Sequence, residues 1–216
     1  DCMPSLVPLT VSEDYIGEMA GLSLRNVELT IRNGKKILYQ DFGEMMFTHK
    51  GITGPLVLSA SSSIGKQLKK QGTLEGYIDL KPALSSEQLD ERILREFENA
   101  KNKQFKNVIG VLFPSSLTPV IIRLGGIPED KVIHEISREE RLNFVSIIKA
   151  FPFTIDGLGG YSEAVITKGG ISVKEINPGT MESKKIPQLY FVGEVLDLDA
   201  VTGGYNLQIA WSTGYL

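Results

Sequence analysis

Hydrophobic and polar residues alternate most clearly in the segment 22–41. Val27, Leu29 and Ile31 are separated by polar residues, which is the pattern of a strand with one buried face. Asn33-Gly34 follows and predicts a type I′ turn, so this region is a predicted β-hairpin. Other short apolar stretches predict strands at residues 37–39, 44–48, 76–80, 151–156, 164–167 and 171–176.

The apolar spacing changes to a helical period between residues 84 and 149. Ser85 with Gln88 and Ser137 with Glu140 form predicted capping boxes, and Gly125 or Gly126 suits a left-handed helix end. Further helical segments are predicted at 56–70, at 105–113, which Pro114 ends, and at 116–124. The inward-facing residues are predicted to be Leu89, Ile93 and Phe97 in the first capped helix and Leu142, Val145 and Ile148 in the last.

These patterns predict an α+β protein with a discontinuous β domain. Short strands separated by glycines favour a small barrel or sandwich, here a β-barrel domain formed by residues 1–83 and 150–185. The helical segment 84–149 is predicted to be an insert in that domain, and residues 186–216 form a separate C-terminal piece.

The C-terminal piece carries the main candidate for a ligand site. Residues 189–192 have no charge, as expected for a strand of a parallel sheet, and Gly193-Glu194 follows directly. Residues 202–204 (TGG) then precede a predicted helix, whose first N–H groups would suit a phosphate or an electron-rich ring edge. Glu194 or Asp197 could accept hydrogen bonds from ligand hydroxyls. An ordinary strand–turn–helix explains the same spacing equally well.

Other candidates favour structural interpretations. His49 lies among glycines and Pro55 and could transfer protons near a cavity, but a demanding turn before the helix 56–70 is favoured. His134 is interpreted as structural. Residues 167–170 (TKGG) could contact a ligand through the backbone or form a turn, and the turn is favoured. Each Gly-Gly pair in the chain is predicted to mark a turn with positive φ.

Composition narrows the class of protein. The formal net charge is −3 and the hydrophobic fraction is 42%, so we expect no nucleic-acid partner and no membrane span. A single cysteine, Cys2, fits a reducing cytoplasm. One cysteine and two histidines are too few for a typical structural zinc site, so we expect none. The chain lacks an initiator methionine and a clear cap after its last helix, so we expect it to be a fragment of a longer protein.

The terminal motif resembles the flavin-binding signature of the HI0933-like flavoproteins. The resemblance rests on "GEVLDLDAVTGGYN" at 193–206, "PSLVPL" at 4–9, "FTHKGITGP" at 47–55 and "VITKGGISVKEINPGTMESKKIP" at 165–187. These are bacterial FAD-containing proteins grouped with NAD(P)/FAD-dependent oxidoreductases and described as aminoacetone oxidases or bile-acid-type enone reductases. One departure is Ala200, where the family's loop has glycine.

The resemblance implies a Rossmann-type FAD domain interrupted by the barrel and the helical insert, with residues 186–216 as a remnant of that domain. The N-terminal G-x-G-x-x-G unit is absent from this sequence, so we expect FAD in the full-length protein but not in this chain alone. The expected partners are the missing N-terminal FAD domain and a small-molecule substrate. The implied cofactor-binding residues are Gly193 and Glu194 near the ribityl–pyrophosphate region, Asp197 in the adjoining loop, and Thr202, Gly203, Gly204, Tyr205, Asn206 and Leu207 at the pyrimidine edge of the flavin.

The catalytic residues are not predictable from the sequence, and this chain alone is expected to be inactive. The alternative is a non-catalytic β-barrel binding or interaction module without a flavin role. Without parallel neighbours, the strand 189–192 would be an exposed edge, so we expect the last thirty or so residues to be disordered, refolded or paired with a second copy of the chain.

Overall fold

Six antiparallel strands close into a barrel in a computed structural model that describes residues 2–216. Asp1, the first residue of the predicted domain 1–83, lies outside the described residues. The strand order around the barrel is β2-β5-β4-β3-β6-β7. The strands are β2 (Leu9–Val11), β3 (Ser23–Asn33), β4 (Lys36–Thr48), β5 (Gly51–Thr53), β6 (Leu74–Asp79) and β7 (Phe151–Leu158). The predicted α+β class with a small barrel is therefore confirmed.

The barrel closes through β2, which pairs with both β5 and β7. The pairing register of β2 with β7 shifts between Thr10 and Val11. This irregularity bends β2 between its two neighbours. The hairpin of β3 and β4 is present, but its turn is not type I′. Gly34-Lys35 forms the two-residue loop, and only Gly34 has a positive φ, of 56°, whereas type I′ needs two such residues.

The helical insert lies between β6 and β7, as predicted. Both capping boxes are formed: the Ser85 hydroxyl accepts from the Gln88 N–H and the Ser137 hydroxyl accepts from the Glu140 N–H. Gly126 ends its helix in the left-handed conformation, with a φ of 72°. The helices of this unit are α3 (Ser86–Glu98), α4 (Phe105–Ile109), α5 (Thr118–Gly125) and α6 (Arg138–Lys149), with a 3₁₀ turn at Ile133–Glu135.

One continuous set of buried apolar side chains runs from the barrel into the helical unit. The prediction for α6 was wrong at one residue, because Leu142 is exposed and Phe144 is fully buried in its place. The Phe144 ring packs edge to face against Phe105, at 5.2 Å between centroids, and against Gly125, where a Cβ would overlap the ring. The aromatic contact therefore sets which face of α6 points inward.

Two further helices pack around the barrel. They are α1 (Asp14–Glu18) and α2 (Pro55–Gln71). Gly54, with a φ of 102°, precedes Pro55 at the start of α2, in agreement with the predicted turn before this helix. No helix in the described part of the chain is both long and apolar enough to cross a membrane.

The remaining elements join the barrel to the C-terminal piece. Strand β1 (Met3–Ser5) pairs with β8 (Ile166–Lys168) outside the barrel. The predicted strand 171–176 is instead a 3₁₀ turn at Val173–Glu175, and Ile176, Met181 and Leu196 form a second small core. Gly-Gly pairs mark positive φ at 169–170 and 203–204, but the pair 159–160 does not, so that prediction was wrong there.

The predicted strand 189–192 is not formed. This segment makes one isolated antiparallel bridge, between Tyr190 and Glu182, and then a 3₁₀ turn at Gly193–Val195. No parallel strand lies beside this segment within residues 2–216. Its backbone instead bonds to the antiparallel segment 181–183, where the Ser183 N–H donates to the Leu189 carbonyl and the Phe191 N–H donates to the Met181 carbonyl. The chain ends in α7 (Tyr205–Tyr215), so the C-terminal piece has defined secondary structure in the single chain.

Candidate functional site

A cavity of about 380 Å³ lies between the start of α7 and the β1–β8 region. Seven of the nine predicted site residues line it: Gly193, Glu194, Thr202, Gly203, Gly204, Asn206 and Leu207. The opposite side is contributed by Leu6, Val165 and Ile166, which the sequence did not mark as site residues. The cavity is therefore shared between the terminal motif and the segments that flank the barrel.

Asp197 and Tyr205 do not line the cavity. The Asp197 side chain is exposed, and its backbone N–H donates to the Ile171 carbonyl at 2.8 Å, so this residue positions the chain. The Tyr205 ring is also exposed and lies beside Gly203, where a Cβ would come within 3.2 Å of it.

The side chain of Asn206 closes the glycine-containing loop. Its Oδ1 accepts from the Ala200 N–H at 2.8 Å, and its Nδ2 donates to the Ala200 carbonyl at 2.9 Å. Only backbone atoms of Ala200 take part, and this residue is not among those with positive φ. A glycine at position 200 is therefore not required by the backbone conformation.

Free backbone donors are concentrated at the start of α7. Gly203 and Gly204 have φ values of 114° and 87°, which turn the chain directly into the helix. Within residues 2–216, the N–H groups of residues 203–207 donate to no acceptor, and α7 has no side-chain cap. Such donors, together with the positive end of the helix dipole, suit a ligand edge rich in oxygen or nitrogen acceptors.

Gly193 and Glu194 are fixed by contacts to other segments. The Gly193 N–H donates to Thr213 Oγ1 at 2.9 Å, which joins the 3₁₀ turn to α7. Oε1 of Glu194 accepts from the Thr167 N–H at 2.6 Å, so this carboxylate binds the backbone of β8. Its other oxygen, Oε2, makes no hydrogen bond in the described part of the protein and could accept from a ligand hydroxyl.

Three polar residues behind the loop form a contact that the sequence analysis missed. We call Ser62, Lys168 and Asp199 the anchor cluster. Asp199 Oδ2 accepts from the Ser62 hydroxyl at 2.5 Å and lies 3.2 Å from Lys168 Nζ. Lys168 also donates to the Ser62 carbonyl at 3.3 Å. The cluster ties the terminal loop to α2, and no spacing in the sequence signals it because the residues are 106 and 31 positions apart.

The remaining candidates lie outside the cavity. Gly169 and Gly170 form the favoured turn, and a Cβ on Gly170 would overlap the Val195 carbonyl. His49 is exposed, and His134 Nδ1 lies 3.0 Å from the Lys101 carbonyl. No cluster of three or more metal-binding side chains occurs among the residues that the structure describes.

The barrel and the helical insert match a known family. The family described as "HI0933-like protein barrel and H2TH domain" matches residues 3–166. The chain belongs to the HI0933-like family. This is a flavoprotein family, as the resemblance of the terminal motif implied.

Three curated relatives match almost the whole chain. A ribosomal RNA dihydrouridine synthase of Haemophilus influenzae is 37% identical over 98% of the chain, and one of Escherichia coli is 33% identical over 97%. A 3-dehydro-bile acid delta(4,6)-reductase of Clostridium scindens is 29% identical over 99%. The chain spans about half the length of these relatives: 49%, 50% and 52% of each.

Proposed function

We propose that the complete protein is an FAD-dependent reductase that adds hydrogen to a carbon–carbon double bond conjugated with a carbonyl group. The names of the relatives describe this same chemistry on two substrates. Dihydrouridine is uridine with its ring double bond reduced, and a delta(4,6)-reductase of a 3-oxo bile acid also acts on double bonds beside a carbonyl. The reaction type is common to these relatives although their substrates differ, so it is the reaction type that supports the proposal.

The observation that carries the proposal is the cavity lined by seven of the predicted cofactor-binding residues. Its unpartnered N–H groups at Gly203–Leu207 fit the pyrimidine edge of a flavin ring, which presents acceptors at N1 and O2. Leu6, Ile166 and Leu207 provide apolar walls for the ring itself. The residues present therefore fit the flavin end of FAD.

Each group of the chain has a separate role in this proposal. The bound flavin supplies the hydride. The N–H groups at the start of α7 stabilise negative charge at the pyrimidine edge of the reduced ring. The apolar walls exclude water, and the anchor cluster holds the loop at a fixed distance from β8. The remaining FAD contacts belong to the missing N-terminal FAD domain, the partner that the resemblance implies.

For the substrate, we propose a uridine in ribosomal RNA. Both relatives with that name are more similar to the chain, at 37% and 33%, than the bile-acid reductase at 29%. This proposal departs from two expectations: the small-molecule substrate, which the resemblance implied, and the absence of a nucleic-acid partner, which rested on the net charge of −3. Net charge describes the average surface, whereas an RNA needs only a local cationic patch.

The test uses the protein encoded by the complete reading frame. We expect the purified protein to show the visible absorption bands of a flavin and, with NADH or NADPH, to add two hydrogens to uridines of unmodified ribosomal RNA, as measured by nucleoside mass spectrometry. A colourless protein that does not take up added FAD would refute the cofactor assignment. A flavoprotein that reduces only a steroid enone would move the substrate to the second relative's class.

A matched pair of variants tests the loop itself. Asn206→Leu removes both hydrogen bonds to Ala200, and we expect FAD affinity to fall about tenfold or more, from about 1 kcal/mol per bond. Gln208→Leu changes an exposed side chain two residues away, bonded only to Ser212, and should leave affinity unchanged. Equal affinities in the two variants would argue against the loop as a cofactor site.

A further inference from the structure

A second concave surface lies on the helical unit, in a different part of the chain from the terminal motif. A groove of about 490 Å³ runs between α3 and the turn that follows α4. Its cationic residues are Lys81, Arg92 and Arg95, and its one acidic residue is Glu91. The rest of the lining is Leu84, Gln88, Leu89, Val111, Leu112 and Phe113. We call this surface the insert groove.

The cations of the insert groove are largely free to bind an anion. Within residues 2–216, Lys81 and Arg95 have no carboxylate within ion-pair distance, and only Arg92 is paired, with Glu96 at 2.9 Å. Asp90, also on α3, is already bound by Arg141 at 2.6 Å. The lining therefore has three cations against one carboxylate, a local excess of positive charge in a chain whose net charge is −3.

Gln88, Arg92 and Arg95 share one face of α3, because residues three and four positions apart are neighbours on a helix. An anion lying along this face meets a row of donors rather than a single charge. Arginine is suited to phosphate groups, since its planar fork can donate two parallel hydrogen bonds.

The insert groove also has an apolar floor. Val111 is 72% exposed at its rim, and Lys81 Nζ lies 5.6 Å from the centre of the Phe113 ring. An inorganic anion or the outside of a double helix would leave this floor unused. A single-stranded nucleic acid presents phosphates on one side and flat apolar bases on the other, which matches cations beside an apolar surface.

We propose that the insert groove binds a single-stranded segment of the RNA that is the enzyme's substrate. The inference rests on the proposed function, because a ribosomal RNA substrate requires a cationic surface on a protein of negative net charge. Arg92 and Arg95 contact phosphates, and Val111 and Leu112 contact a base or sugar. The helical unit thereby holds RNA while the reactive uridine enters the flavin cavity.

The experiment measures binding of a fluorescein-labelled single-stranded oligouridine to the complete protein by fluorescence anisotropy, over a series of salt concentrations. Two lost phosphate contacts should lower the salt slope of log K by about 1.4 and the affinity about 25-fold at 0.1 M salt in Arg92→Ala/Arg95→Ala. The double variant Arg92→Lys/Arg95→Lys keeps both charges and should retain most of the slope. Arg138→Ala, a change at an exposed arginine of α6, is the control and should match the parent protein.

A change of the apolar residue at the rim of the insert groove gives a distinct signature. Val111→Ser removes an exposed apolar contact without changing charge, so affinity should fall severalfold while the salt slope stays constant. Unfolding temperatures of all variants should match the parent, since the altered side chains are exposed.

Three outcomes would overturn the inference. The first is an unchanged salt slope in Arg92→Ala/Arg95→Ala, and the second is an equal loss in the Arg138→Ala control. The third is tighter groove-dependent binding of an acidic peptide, such as oligoglutamate, than of the RNA. Dihydrouridine formation distinguishes the proposed substrate from the proposed role of the insert groove. If dihydrouridine forms and the groove variants bind RNA as tightly as the parent protein, only the groove assignment fails. If the parent protein neither binds RNA nor forms dihydrouridine, the proposed substrate fails as well.

Discussion

At the scale of single residues, Asp199 joins the loop before α7 to both α2 and β8. It accepts from Ser62 and pairs with Lys168, and its side chain is only 13% exposed. Removing its charge leaves the Lys168 amino group, itself 27% exposed, without a counterion. The loop that carries the unpartnered N–H groups of residues 203–207 should therefore depend on this carboxylate.

We expect Asp199→Asn to destabilise the terminal segment by about 1–2 kcal/mol, since a partly buried charged hydrogen bond is lost. Trp211 in α7 is the chain's one tryptophan, so its fluorescence during urea unfolding reports on this segment. The control is Glu175→Gln, which breaks an exposed ion pair of 2.7 Å with Lys185 and should cost at most about 0.5 kcal/mol. Equal shifts of the Trp211 transition in both variants would show that the anchor cluster has no special role.

Tyr15 gives a prediction about pH. Burial, and then the nearby Glu13 carboxylate, raise the pKa of Tyr15 from 10.0 to about 12, and its hydroxyl donates to the Pro152 carbonyl. The folded protein keeps the phenol proton where the unfolded chain releases it. This contribution to stability is therefore complete below pH 10.0 and is lost as the pH rises towards about 12.

Urea unfolding at intervals from about pH 9 to about pH 12 measures whether the free energy of unfolding falls with pH as expected. This range spans the ordinary tyrosine pKa of about 10. Burial also raises the pKa of Tyr39 and of Tyr77, so the informative quantity is the difference in unfolding free energy between the parent protein and Tyr15→Phe. This difference should shrink as the pH rises. A growing difference for Tyr15→Phe would contradict the assignment.

At the scale of elements, closure of the barrel depends on how closely β2 and β5 approach. A Cβ on Gly51 would overlap the Leu9 carbonyl, which belongs to the backbone of the paired strand and cannot turn aside. We expect Gly51→Ala to lower the free energy of unfolding by about 3 kcal/mol. Gly110→Ala is the matched control, because its nearest neighbour would be 3.9 Å away, and it should change stability by less than about 1 kcal/mol. Denaturant unfolding followed by circular dichroism measures both, and equal values would contradict the steric argument.

Most elements were predictable because their signals are local. The β3–β4 alternation, the two capping boxes and the glycine before Pro55 each depend on residues within a few positions of one another. The buried face of α6 was not predictable from local signals, because Leu142 and Phe144 are both apolar. The contact between Phe144 and Phe105 decides which of the two is buried. The segment 189–192 has the composition of a parallel strand, but its only backbone neighbour within residues 2–216 is the short antiparallel segment 181–183.

In the candidate site, too, the residues close together in sequence were predictable and those brought together by the fold were not. The glycines at 203–204 and Asn206 were identifiable because the terminal motif is contiguous in sequence. Ser62, Lys168 and the cavity wall at Leu6 come from distant segments, so only the fold brings them together. Asp197 has the residue type of a ligand contact, yet its backbone rather than its carboxylate is used.

At the scale of the whole molecule, exposed apolar residues are concentrated at the C-terminal piece. We call Val192, Val201, Leu207, Trp211 and Tyr215 the terminal apolar surface. Each is at least 44% exposed, and α7 has no buried residue. Leu207, Trp211 and Tyr215 are four positions apart on α7 and so share one face, and an exposed apolar face of this kind marks an interaction site in soluble proteins. In the proposed complete protein, the remainder of the FAD domain covers it.

The chain by itself should therefore self-associate through the terminal apolar surface rather than by pairing of strands at 189–192, since no strand forms there. In sedimentation velocity, Leu207→Gln/Trp211→Gln should lower the association constant at least about tenfold, because a large aromatic residue contributes most of the energy of such contacts. Val111→Gln, at a residue of similar exposure on the helical unit, should leave it unchanged. Under the proposed function, the complete protein should not associate through this surface, because the proposed FAD domain would cover it. A chain that stays monomeric at high concentration, or a complete protein whose association responds to the same substitutions, would contradict this assignment.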